Sequence, residues 1–200
     1  MKTVWTVAVA MTAAAAACFG GQDKLTVALY DDSGMLPRWV LRAAAKQARE
    51  ALSTAGVETR WIFCPDCVLP PPGTYAVVKI VPARKAAPEG SEAFGLAIPC
   101  PAEQRCATSW VFYRPVQAFS DNVAQPVEVV LGHVMVHEIG HLMGLGHSGM
   151  GIMKARFDRR DLADAAASRL RFAAAETKKM RATAAIWTAP VAGAGATEGQ

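Results

Sequence analysis

Three observations predict an α+β fold for this chain. Alternating, β-rich stretches dominate the first half and are interrupted by one amphipathic helical run. A continuous helical pattern runs from near Pro126 to about Gly144. Beyond Met153 the pattern is helical again. Two hundred residues suit one domain with a tail. Hydrophobic residues make up 52% of the chain, enough for a core even though alanine inflates the figure. The formal net charge of +4 is too small to argue for a nucleic-acid partner.

The chain opens "MKTVWTVAVAMTAAAAACFGG". Lys2 gives a positive start, and Val4 to Ala17 is apolar, uncharged and ends in small residues. This predicts a secretory signal over residues 1–20, with cleavage somewhere near Ala15 to Gly20. An alternative is a lipoprotein-type signal with Cys18 lipidated, although the alanines before Cys18 lack the leucine such signals prefer. The stretch is short for a membrane span, and no later segment is long and apolar enough to make one. The expected mature chain is exported, either soluble or tethered by its N-terminus, and monomeric. A single domain is expected over residues 22–187. The small-residue stretch 188–200 reads as a flexible tail.

Leu25 to Tyr30 alternates and is β-rich, so it reads as the first strand. In "LPRWVLRAAAKQAREALSTAG", Pro37 suits a first helical position and Val40, Leu41, Ala44, Ala48 and Leu52 form one apolar face. Gly56 suits the C-terminal cap of that helix. Val57 to Phe63 alternates as a second strand, "LPPPG" breaks the chain, and "YAVVKIV" reads as a third, largely buried strand. "FGLAIP" and "TSWVFYRPV" are further candidate strands. Past Met153, Asp158 and Asp161 form a cap-like pair opening "DRRDLADAAASRLRF", and "ETKKMRATAAIW" extends the helix. Lys154 to Arg181 holds nine basic and four acidic residues, which reads as a solvated helix face.

Removal or lipidation of Cys18 leaves Cys64, Cys67, Cys100 and Cys106, an even set in an oxidising compartment. Disulfides are the expectation, and two bridges joining the 64–67 turn to the 100–106 loop are one arrangement among three. "CPDC" also has metal-ligand spacing, but its partner pair is separated by five residues and export disfavours thiolate zinc.

All four histidines fall in "HVMVHEIGHLMGLGH", His133 to His147. Residues four apart lie on one helix face, so His137 and His141 can reach one ion. Glu138 projects beside that pair, the arrangement in which a zinc hydrolase uses the carboxylate as general base. On a continued helix His147 would point roughly 240° away. The helix must therefore end, and Gly144 tolerates the positive φ of the reversal that brings His147 back. His133 and His141 are about 12 Å apart along a helix axis. Ligand nitrogens lie about 2.0–2.1 Å from zinc, so His133 reads as a core residue with one hydrogen bond.

The spacing of His137, Glu138, His141, Gly144 and His147 resembles the extended motif of the metzincin metallopeptidases, and its wording most resembles their compact bacterial, matrixin-like branch. The resemblance implies a metzincin-like (zincin) fold: a mixed twisted sheet with a backing helix, an active-site helix, a methionine turn and C-terminal helices. It implies one catalytic zinc held by His137, His141 and His147, with Glu138 as general base. It implies Met153 as the turn methionine, with Met150 the rival. It also implies a peptide or protein substrate lying extended along an edge strand, for which "FGLAIP" is the candidate. The chain departs from the family after Met153, where Lys154, Ala155 and Arg156 replace the proline-tyrosine of the S1′ wall. No cysteine follows His147, unlike the archaeal branch that binds a second zinc. Asp31-Asp32 reads as a strand-to-helix cap rather than a calcium site. Two other functions stay open at this point: a non-catalytic protein that keeps zinc for stability, and a zinc hydrolase of a non-peptide substrate.

Overall fold

A computed structural model describes residues 24–71, 74–83, 93–99 and 107–189. The expected signal over residues 1–20, with Cys18, lies outside them, as do Cys100, Cys106 and residues 190–200. The described elements are β1 (Leu25–Asp31), α1 (Arg38–Thr54), β2 (Thr59–Cys64), β3 (Tyr75–Val81), β4 (Gly95–Pro99), β5 (Ala107–Phe112), α2 (Tyr113–Val123), α3 (Val127–Leu142), α4 (Arg159–Ala166) and α5 (Ala174–Thr188). No helix among the described residues is long and apolar enough to cross a membrane.

The five strands form one mixed sheet in the order β2-β1-β3-β5-β4. β2, β1, β3 and β5 are parallel neighbours, and β4 runs antiparallel to β5 at the edge. Burial explains the sequence pattern. Val27, Leu29, Val78, Ile80 and Val111 are almost wholly excluded from solvent, as expected for parallel strands covered by helices.

α1 buries the face read from its periodicity, including Val40, Leu41, Ala44, Ala48 and Leu52. Its alanines have a structural purpose. A Cβ at Gly132 of α3 would lie 2.8 Å from the Ala44 carbonyl and 2.7 Å from Gln47 Cβ. The two helices cross closely because one offers glycine and the other small side chains. α3 is buried almost all round, from Val129 to Gly140, which is the pattern of a helix inside a core rather than on its surface.

The expected elements appear with four differences. β2 starts at Thr59 rather than Val57, because the Val57 N–H still bonds back to the Leu52 carbonyl at 3.1 Å through the turn at Gly56, φ 74°. The strand expected through Val116 stops at Phe112, and α2 follows. Pro115 sits in the first turn of α2, where its missing N–H costs nothing. The helix expected to run on from α4 is broken. The Ser168 backbone turns left-handed at φ 52°, and residues 167–173 are not helical. Finally, Cys64 is joined to Cys67 within the CPDC turn. The expected bridges from this turn to the 100–106 loop are corrected for these two cysteines: with their Cα atoms 4.8 Å apart, the turn pairs them with each other.

Asp31 caps the β1–α1 connection by accepting from the Ser33 and Leu36 N–H groups, and Asp32 lies 3.8 Å from Lys79. At α4 the expected cap is a reciprocal box. Asp158 accepts from the Arg160 and Asp161 N–H groups, and Asp161 accepts from the Asp158 N–H.

Candidate metal centre

α3 carries His137, Glu138 and His141 into the centre of the protein. The helix ends at Leu142, and Gly144 adopts φ 82°. The Leu145 N–H bonds back to the Gly140 carbonyl at 2.9 Å, completing the reversal. α5 holds this turn from behind. Lys179 Nζ donates to the Gly144 carbonyl, and Thr183 Oγ1 donates to the Met143 carbonyl at 3.2 Å. Part of the basic stretch read as a solvated face is therefore a cap on the carbonyl end of α3, where a cation is favoured.

The reversal brings His147 back to the helical pair. His141 Nε2 lies 3.0 Å from His137 Nε2 and 3.2 Å from His147 Nε2. Nitrogens 2.0–2.1 Å from a tetrahedral zinc lie about 3.3 Å from one another, so the spacing fits one ion. The backbone fixes the rings. His137 Nδ1–H donates to the Ile152 carbonyl at 2.8 Å and His141 Nδ1–H to the Leu145 carbonyl at 2.9 Å. Both Nε2 lone pairs are thereby left free and aimed at one point, the arrangement by which outer hydrogen bonds orient metal-ligating histidines. Burial draws the His137 pKa down to about 4, against the pull of the Ile152 carbonyl and with help from His141 and His147. Burial lowers His141 as well. Both rings are held neutral, the form that binds metal.

Glu138 is 5% exposed, and burial pushes its carboxyl up to about 8. A neighbouring dication favours the charged form of such a group. Glu138 lies directly against the start of β4: a Cβ on Gly95 would fall 2.5 Å from its Oε1. Beneath the histidines, Met153 is fully buried. A Cβ on Gly140 would lie 2.5 Å from its sulfur. Met150 is 70% exposed, so Met153 is the buried one of the two. The turn around Met153 is closed by Ser148 N–H to the Met153 carbonyl at 2.8 Å and Ile152 N–H to the Arg171 carbonyl at 3.1 Å. This last bond explains the break between α4 and α5, since the chain must leave the helix for Arg171 to reach the turn.

His133 faces away from this cluster. It is 3% exposed, donates from Nδ1 to the Val129 carbonyl at 2.9 Å, and lines a separate groove with Gln47 and Arg171. Cys64 ends β2, at the sheet edge opposite β4, and Cys67 lies in the turn after it. Among the described residues, His137, His141 and His147 are the one group of ligand-type side chains close enough to hold an ion.

The histidines and Glu138 open onto a cavity of about 1120 Å³. One wall is β4, whose Leu96 and Ile98 are exposed. Another wall is α2, absent from the sequence reading, which contributes Pro115, Ala118 and Phe119. Phe119 packs on Phe94 at 5.0 Å between ring centres. Val134 and Phe157 complete an apolar lining, and Lys154, Ala155 and Arg156 stand where the resemblance gave no guidance. Gly95, Gly140 and the two orienting carbonyls were also missed. A glycine within a helix costs about 1 kcal/mol relative to alanine, so Gly140 was itself a signal of close packing.

The zincin-like metallopeptidase family profile matches residues 91–154, from just before β4 through the turn at Met153. No curated protein matches the chain. Among solved structures, archaemetzincin from Methanopyrus kandleri is similar at 18% identity and TM-score 0.51, over 82% of this chain and 98% of that one. A zinc-dependent peptidase from Methanocorpusculum labreanum is similar at 18% identity and TM-score 0.50, over 77% of this chain and 99% of that one. At these identities the likeness is one of fold, and it does not select the matrixin-like branch over others. The mixed sheet, the backing helix, the helical histidine pair and the turn at Met153 make this a zincin-like fold, and the stretch that carries the site is similar to the zincin-like metallopeptidase family.

Proposed function

We propose that the chain is an exported endopeptidase in which His137, His141 and His147 hold one catalytic zinc and Glu138 is the general base. The observation that carries this reading is the convergence of three Nε2 atoms beside one buried carboxylate, in a cavity open along a sheet edge. A bound zinc supplies Lewis acidity at its open position, which acidifies water and polarises a carbonyl. The rest is done by the chain. Glu138, shielded by β4, takes the proton from the attacking water and returns it to the leaving amine. Carbonyls of Ile152 and Leu145 keep the ligand rings from rotating. Met153 gives the histidines an apolar floor. The side of β4 that pairs with no described strand offers backbone groups to an extended peptide, by the pairing that an edge strand allows.

Export rests on the N-terminal segment before Gln22, with Cys18 lipidation as the tethered alternative. N-terminal sequencing and intact mass of the mature protein test it: a start between residues 16 and 22 is expected, and retention of Met1 would contradict it. The activity is tested by zinc analysis of the purified chain together with digestion of a mixed peptide library. One zinc per chain and internal cleavages are expected. Glu138→Ala should retain the zinc and lose at least about 100-fold in rate. Zinc without cleavage by the unmutated chain would favour a binding protein instead.

A further inference from the structure

The cavity beside the histidines carries three charged side chains: Glu138, Lys154 and Arg156. Glu138 is buried and belongs to the chemistry. Lys154 is fully committed, with Nζ 2.7 Å from both Asp158 Oδ2 and Asp161 Oδ2 at the cap of α4. Arg159, three residues past Arg156, is committed as well, donating to the Asn122 carbonyl at 3.1 Å and so tying α4 to α2. Arg156 is different. It is exposed, lines the cavity, and makes no hydrogen bond or ion pair among the described residues. Its backbone is nonetheless well anchored, between the cap-bound Lys154 and the buried Phe157.

A guanidinium with no partner among the described residues, on a rim that Phe94, Phe119 and Phe157 make largely apolar, favours a planar anion, and on a peptide that anion is a carboxylate, which it can grip with two parallel N–H donors. Low-dielectric walls concentrate its field into the cleft, and here those walls are Phe94, Phe119 and Phe157. We propose that Arg156 is a specificity residue that pairs with a carboxylate of the bound peptide, carried either by an acidic side chain or by the chain's own C-terminus. The inference rests on the peptidase reading above and adds a substrate class to it: peptides with negative charge within reach of the cleft.

The test uses zinc-loaded, full-length mature protein and two sets of synthetic fluorescence-quenched peptides. One set scans Glu against Gln through each position around the cleaved bond, with amidated ends. The other compares free and amidated C-termini at increasing distance from that bond. For one position or one chain end, kcat/KM for the carboxylate peptide should exceed that for its amide counterpart by about fivefold or more. The advantage should shrink as salt rises. Arg156→Gln should bring the ratio close to one, and Arg156→Glu should turn it in favour of the amide peptide. The first set responding assigns the side chain as the source, and the second assigns the terminus. Equal rates for carboxylate and amide peptides throughout, or a preference that survives Arg156→Gln, would overturn the proposal. Binding of the same peptides to zinc-loaded Glu138→Ala, followed by anisotropy, separates the two claims. Failure of cleavage sinks the peptidase reading, whereas the Glu-over-Gln binding ratio still decides for or against Arg156.

Discussion

Gly95→Ala is a small change that should damage activity more than stability. A Cβ at Gly95 would stand 2.5 Å from Glu138 Oε1, 2.6 Å from Cδ and 2.7 Å from Cγ, where ordinary contact begins near 3.4 Å. The shortfall at the carboxyl oxygen is 3.4 − 2.5 = 0.9 Å. Three consecutive atoms of one side chain are involved, so rotating the carboxyl alone cannot relieve the clash. Glu138 must move as a unit by close to that distance, or β4 must lift away from α3. A misplacement of about 1 Å in a reacting group can lower the rate by about 100-fold, equivalent to about 2.7 kcal/mol of barrier. The three atoms nearest the new methyl all belong to Glu138, so zinc content should not change. The assay is kcat/KM on a fluorescence-quenched peptide, with zinc analysis and a thermal melt on the same preparation. The double variant Gly95→Ala/Glu138→Ala should be no slower than Glu138→Ala alone, because both act through one carboxylate. Activity of Gly95→Ala within about threefold of the unmutated chain would show that the carboxyl position above α3 is not what this glycine protects.

Met153→Ala removes a fully buried side chain beneath the histidines and should cost about 2–5 kcal/mol of stability, read by denaturant melts of the zinc-loaded protein. Zinc stoichiometry should stay at one, and loss of the ion with little loss of stability would give Met153 a different role. His133→Ala should leave zinc content at the unmutated level while lowering stability, because His133 is buried and its bond among the described residues is to Val129. Loss of zinc from a folded His133→Ala would show that the ligands are wrongly assigned. Lys179→Ala should cost about 0.5–1 kcal/mol by uncapping the carbonyl end of α3, measured in the same melts. An unchanged melt would mean that Thr183 and the glycine turn hold the reversal unaided.

The site was legible where its geometry is periodic and local. Helix spacing pairs His137 with His141, and a glycine before His147 announces the turn. The carbonyl partners of those histidines were not legible, because Ile152 meets His137 through a turn that Arg171 closes from a segment read as helix. That helix reading failed because Ala163 to Ala167 contains no breaker, and the left-handed residue that ends it is Ser168, not glycine. α2 was hidden by its β-forming start, with Tyr113 following the strand residues Val111 and Phe112 without a polar pause. β4 was read correctly as an edge strand. The need for glycine at its first position is a tertiary fact, set by a carboxylate from α3 more than forty residues away in the chain. That Arg156 has no partner among the described residues is of the same kind, since the nearby acidic groups Asp158 and Asp161 are taken by Lys154.

The most direct test of the central assignment is X-ray absorption at the zinc edge of the purified chain, with His147→Ala beside it. One zinc per chain is predicted, with three histidine nitrogens at about 2.0–2.1 Å and a further light atom. In His147→Ala, which removes the ligand that the Gly144 turn exists to deliver, the nitrogen count should fall to two or the metal should be lost. Zinc bound through sulfur at about 2.3 Å, or a nitrogen shell unchanged in His147→Ala, would contradict the account.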